Sequence, residues 1–163
     1  MAKINEPTEL FAHKLGAALT MEETILDMLE ELQEHANDPQ LQKALRQHHG
    51  ETQQHIRNLE QVFQALGFER ETQSCPTIEG LQKEGKQMLK QVEDELNDAV
   101  ILSGVIETEH HEIAVYDGLI INAEAMDEED VRALLLENLE SEEQTLDKAV
   151  KQAEKLSREL ARA

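Results

Sequence analysis

Four stretches of this chain repeat apolar residues every three or four positions, and each is broken by acid near its middle. Phe11, Leu15, Leu19, Leu26, Leu29 and Leu32 mark the first, and Leu41, Leu45, Ile56, Leu59, Val62 and Leu66 the second. Ala99, Leu102, Ile106, Ile113, Tyr116 and Ile120 mark the third, and Val131, Leu135, Leu139, Leu146, Ala149, Ala153 and Leu156 the fourth. That period belongs to the α-helix, whose turn of about 3.6 residues brings i, i+3, i+4 and i+7 onto one face. With only 7 glycines and 3 prolines in 163 residues, and Ala, Leu, Glu, Gln and Lys dominant, the chain is read as all-α.

Local signals set the helix limits. Thr8 after Pro7 is the expected N-cap of a helix running to about His35. Asp38 with Pro39 opens the second, which stops at Gly67, so these two form an antiparallel hairpin. "FERETQSCPTIEG" (68–80) is the longest polar interruption and reads as a crossover, after which Leu81, Met88, Leu89 and Val92 predict a shorter helix. A long helix follows from about Glu95 to Ala125, and Asp127 is the expected cap of the last. Two hairpins joined by a long connection with its own short helix make a ferritin-like four-helix bundle; tight loops would have sufficed for an up-down-up-down bundle. One domain over 1–163 is expected, with its core at 8–156 and a C-terminal tail, 157–163, that frays.

Lys and Arg number 15 against 35 Asp and Glu, a net charge of −20 that repels phosphate backbones and excludes nucleic acid as a partner. Cys75 is the only cysteine, so no intramolecular disulfide forms, and a reducing compartment is the simpler assumption. No run approaches the roughly 20 apolar residues that span a bilayer, and none has signal-peptide character. The expectation is a cytoplasmic protein with no membrane partner.

The polar interruptions carry the chemistry. Glu22 lies between Leu19 and Leu26; His48, Glu51, Thr52 and His55 replace apolar residues between Leu45 and Leu59; Glu109 and Glu112 share the face of Ile113 and Tyr116; Glu142 lies between Leu139 and Leu146. An ionised carboxylate in an apolar interior costs roughly several kcal/mol unless paired, protonated or bound to metal. Interior-facing Lys and Arg are almost absent, and clustered acids sharing protons have raised pKa values. Two divalent cations nearly neutralise Glu22, Glu51, Glu109, Glu112 and Glu142, and His48 adds a neutral imidazole suited to iron, manganese or zinc. The interval from Glu22 to Glu51 nearly equals that from Glu112 to Glu142, as two similar hairpins would give.

The other candidates stay open or bland. His55, a turn from the Glu51 level, is as readily a packed or outer residue as a ligand. His13, His35 and His49 read as surface residues, while His110 and His111 border the acids. Tyr116 reads as core packing rather than a hydrogen-bonding group. Cys75 packs the crossover, and Met21, Met28, Met88 and Met126 fill space.

"HHGET" at 48–52, "LEQVF" at 59–63, Cys75 with "EGL" at 79–81 and Glu84, "EHHEIAVY" at 109–116 and "LESEE" at 139–143 resemble the YciE/YciF-type stress proteins, a bacterial branch of the ferritin-like superfamily. The resemblance spans roughly residues 8 to 155. It implies a bundle with an additional short helix, a homodimer, and a di-metal site similar to that of rubrerythrin, with Glu22, His48, Glu51, Glu109, Glu112 and Glu142 on matching positions. The Glu-x-x-His pattern of most ferritin-like di-iron proteins is missing, since Gln54 and Thr145 stand where the histidines would be. Two iron ions are the expected cofactor, with manganese or zinc as alternatives, bridged by Glu51 and Glu142 and reacting with peroxide or dioxygen. A non-enzymatic stress or structural protein that binds or sequesters metal is the alternative.

Overall fold

A computed structural model describes residues 3–162. The helices are α1 (Pro7–His35), α2 (Pro39–Ala65), α3 (Pro76–Leu89), α4 (Asn97–Ala125) and α5 (Glu129–Leu160), with a 3-10 turn at Asp94–Leu96 leading into α4. The chain is a ferritin-like bundle. α1 pairs with α2 and α4 with α5, while α1 also lies beside α4 and α2 beside α5. The beginning of α4 meets the α1–α2 turn, because the Asp98 carboxylate accepts from the backbone N–H groups of Asn37 (2.7 Å) and Asp38 (2.9 Å). α2 and α4 therefore start at the same end of the bundle and run parallel, so the connection between them must travel its length. Among the described residues no helix is long and apolar enough to cross a membrane.

The helix ends follow backbone accounting more closely than they follow side-chain caps. Pro7, with its fixed φ and missing N–H, takes the first position of α1, so the helix starts one residue before Thr8 and has no side-chain cap. Asp38 caps α2 as expected, accepting from Gln40 N–H at 2.7 Å. Its other end closes at Gly67, φ +66°, where the N–H of Phe68 returns to Phe63 C=O and that of Gly67 to Gln64 C=O. Asp127 does not cap α5. It ends α4 instead, at φ +56°, with Glu128 N–H on Ala123 C=O and Asp127 N–H on Glu124 C=O, the same paired closure as at Gly67. α3 begins at Pro76, inside the stretch read as crossover, and α5 persists to Leu160 through most of the tail expected to fray.

Two apolar blocks flank a polar layer. Ile25, Leu29, Leu41, Leu45, Ile101 and Leu102 fill one end, and Phe11, Leu15, Leu59, Phe63, Leu119 and Leu135 the other. The stripes differ locally from the sequence reading. Ile25 rather than Leu26 faces inward on α1, and Val105 and Leu119 rather than Ile106 and Ile120 on α4, which turns Glu109, Glu112 and Tyr116 squarely into the interior.

The crossover is held against α1 at Gly16, whose C=O accepts from Gln73 N–H at 3.0 Å. A Cβ at Gly16 would lie 2.6 Å from Glu71 C=O, an approach that backbone cannot yield cheaply. Gly16→Ala is expected to destabilise by about 1–2 kcal/mol, overpacking outweighing the gain in helix propensity. Urea titration measures it, and an unchanged midpoint would show that the crossover is not pinned there.

Candidate metal centre

The polar layer is built by all four long helices. Glu22 comes from α1, His48, Thr52 and His55 from α2, Glu109, Glu112 and Tyr116 from α4, and Asn138 and Glu142 from α5, every one of them buried. Two sets of side chains converge, each offering ligand atoms within 4.8 Å of one another. One is His48, Glu109, Glu112 and Glu142; the other is Glu22, His55 and Glu142. Glu142 belongs to both.

Distances are short but hydrogen bonding is poor. His48 Nε2 is 3.0 Å from Glu109 Oε1 and His55 Nδ1 is 2.8 Å from Glu142 Oε1, with Glu22 Oε1 at 3.6 Å. Both nitrogens nevertheless miss hydrogen-bond alignment, and Glu22 Oε2, Glu109 Oε2 and both oxygens of Glu112 and Glu142 also lack partners. Buried polar atoms are normally paired, and each unpaired one costs about 1–3 kcal/mol. Imidazoles and carboxylates aimed past one another at common points fit divalent cations, since imidazole and carboxylate together suit iron, manganese and zinc.

Electrostatics shows the same strain. Burial pushes the carboxyls of Glu22, Glu112 and Glu142 up; for Glu112 the repulsion of Glu142, Glu109 and Glu22 adds to it. At Glu22 and Glu142, contact with His55 partly opposes the rise. Burial disfavours charge on His55, but Glu142 and Glu22 outweigh it and raise the imidazole to about 10. His48 is likewise raised, against its burial, by Glu109 and Glu51.

Four of the six acids and histidines expected from the sequence, His48, Glu109, Glu112 and Glu142, fall in one set, and Glu22 in the other. Glu51 is set apart. Its side chain is 29% exposed at the margin, accepting from Gln47 Nε2 at 2.8 Å, with His48 Nδ1 at 3.6 Å, which pulls its pKa down to about 2. His55, which by spacing alone is as readily a packed residue as a ligand, lies inside the second set. His110 is exposed, and His111 faces away toward Cys75, with Nε2 3.9 Å from Sγ.

Tyr116 is more than packing, contrary to expectation. Its hydroxyl donates to Glu22 Oε1, and burial beside Glu22 and Glu142 keeps it protonated. Behind it runs a chain of donors that sequence reading missed: Arg57 to Gln54 Oε1, Gln54 Nε2 to Asn58 Oδ1 (2.9 Å), Asn58 Nδ2 to Asn138 Oδ1 (2.7 Å), and Asn138 Nδ2 to the Tyr116 hydroxyl (3.0 Å). Each link orients the next, so the Tyr116 proton has one acceptor left. The available signal was that Asn58 and Asn138 adjoin Leu59 and Leu139 in the stripes. Tyr116→Phe is expected to weaken divalent-ion binding about 10- to 100-fold by freeing Glu22. Competition with a fluorescent zinc chelator measures it, and an unchanged affinity would mean Glu22 needs no such support.

Residues 6–162 match the family described as "Domain of unknown function (DUF892)". Protein YciF of Escherichia coli (strain K12) is 28% identical over 139 residues, 84% of each chain. Among solved structures, YcfI of Rhodopseudomonas palustris superimposes with a TM-score of 0.88 at 32% identity, covering 90% of this chain and 94% of its own. The crystal structure of the E. coli stress protein YciF gives 0.87 at 26%, covering 92% and 96%. Fold, length and sequence agree along almost the whole chain, which belongs to the DUF892 family, that of the YciF-type stress proteins.

Proposed function

We propose that this stress protein holds two transition-metal ions at the centre of its bundle, iron or manganese in the cell, and uses them on peroxide or dioxygen. One observation carries the reading: two ligand sets meet at Glu142, and both oxygens of Glu112 and Glu142, both ring nitrogens of His48, Nδ1 of His55 and one oxygen each of Glu22 and Glu109 are buried without a hydrogen-bond partner. His48, Glu109 and Glu112 would hold one ion, Glu22 and His55 the other, and Glu142 would bridge them. Such ions supply electrons and Lewis acidity. The chain fixes the donors on rigid helices, excludes bulk water through the flanking apolar blocks, and holds the Tyr116 proton against Glu22.

Anaerobic loading with ferrous iron, followed by peroxide, tests this. Wild type should develop near-ultraviolet absorption that Glu142→Ala does not. Identical traces from the two would remove the reading.

A second reading is a non-enzymatic protein in which the same ions are structural or sequestered; the description of the R. palustris neighbour as a candidate structural protein favours it. Metal would then raise the melting temperature by mass action, and peroxide would persist unconsumed.

A further inference from the structure

A cavity of about 50 Å³ lies in the seam between α2 and α5, with Leu102 and Val105 of α4 behind it. α3 packs on α1 and α4, so this seam is on the opposite side of the bundle. Exposure falls inward along the cavity, from exposed Lys148 through Glu51, whose side chain is 29% exposed, to buried His48, which belongs to the central layer. At roughly 10–15 Å³ or more for each water, the space takes a few waters or a partly hydrated cation and little else.

Two oxygens face one another there. Thr145 Oγ1 is 3.2 Å from Ser141 C=O and 3.5 Å from Glu51 Oε2. A hydroxyl has one proton and Ser141 C=O is the nearer acceptor, so Thr145 turns lone pairs toward the Glu51 carboxylate. Acceptor against acceptor is repulsive, whereas two oxygens on one tetrahedral ion, each at about 2.0–2.2 Å, lie roughly 3.3–3.6 Å apart. Glu51 is lightly held: exposed Gln47 donates to its other oxygen at 2.8 Å, and His48 Nδ1, 3.6 Å from Oε2, is not aligned to donate. The other ways in are less favourable to charge. Apolar blocks close both ends of the bundle, α3 covers the seam between α1 and α4, and each hairpin packs more closely than α2 does on α5.

We propose that the Glu51–Thr145 pair is a docking site at which divalent cations shed water before passing His48 into the buried centre, and by which they leave. The proposal rests on the reading of the central layer as a metal centre. Glu51 is then a passage group and not a ligand of the settled ion. Lowering one barrier speeds entry and exit by the same factor and leaves the affinity unchanged. Lys148 opposes the approach of cations by its charge.

Stopped-flow mixing of metal-free protein with zinc and a fluorescent indicator gives the entry rate, chelator added to loaded protein gives the exit rate, and equilibrium competition gives the affinity. Glu51→Gln should slow entry and exit together by about tenfold or more, with the affinity within about threefold of wild type. Lys148→Gln, an exposed change that serves equally if Glu51→Gln folds poorly, should speed entry about two- to fivefold, most at low salt. Wild-type rates in both variants overturn the entry route and leave the centre intact. A loss of affinity in Glu51→Gln with entry at the wild-type rate also overturns it, because Glu51 would then be a ligand or a carboxylate that orients His48. A wild type that takes up no zinc sinks the metal reading, and the entry route with it.

Discussion

Glu112→Gln should lose metal binding by more than about 100-fold while the metal-free protein becomes no less stable, or gains about 1 kcal/mol. Core substitutions usually destabilise by roughly 0.5–3 kcal/mol, so the sign is diagnostic. Glu112 is fully buried, neither oxygen has a hydrogen-bond partner, and its neighbours raise its pKa by repulsion after burial has already done so. The isosteric amide is neutral without having to hold a proton, at nearly constant volume, but it binds cations poorly. Thermal melts with and without zinc, beside chelator competition, measure both halves. A metal-free variant several degrees less stable than wild type would mean that Glu112 is satisfied by something other than a cation.

The second large effect is an inverted pH dependence. His55 has a folded pKa of about 10 against an ordinary 6.5, so its contribution is complete below about pH 6.5 and lost as pH climbs through 10. The raised carboxyls of Glu22, Glu112 and Glu142 act in the same direction: the folded chain keeps protons that the unfolded chain releases above 4.5. Glu51 acts oppositely, its contribution present above 4.5 and lost as pH falls toward 2. Metal-free protein should therefore be most stable at mildly acidic pH and lose roughly 5–10 °C in melting temperature between pH 6 and 9, at about 2–4 °C per kcal/mol. Ions replace those protons, so metal affinity should rise over the same interval and flatten the loaded protein's profile. Calorimetry of chelator-treated and zinc-loaded samples across that range tests it; parallel profiles would contradict the proton–metal exchange.

Much of this was legible in the sequence, for identifiable reasons. Helical period and the pair Asp38–Pro39 are local signals, and buried carboxylates are conspicuous because an apolar stripe has no other use for them. What was lost needed three dimensions. Glu51 and Glu142 looked equivalent by interval, yet His48, Thr52 and His55 occupy the inward register of α2 and leave Glu51 at its margin. His55 was undecided because the layer extends along the bundle axis by more than one turn. Tyr116 and the Asn58–Asn138 pair gain meaning only where α2, α4 and α5 meet. Gly16 needs its place against the crossover, and Asp127 has the residue type of a helix opener although the backbone there is still closing α4.

Anomalous diffraction from crystals soaked in a manganese or zinc salt tests the central claim most directly. Two peaks about 3.5–4 Å apart, one among His48, Glu109 and Glu112, the other beside Glu22 and His55, with the Glu142 carboxylate between them, are the expected result. Ions bound only at surface carboxylates, with the buried layer unchanged, would contradict it.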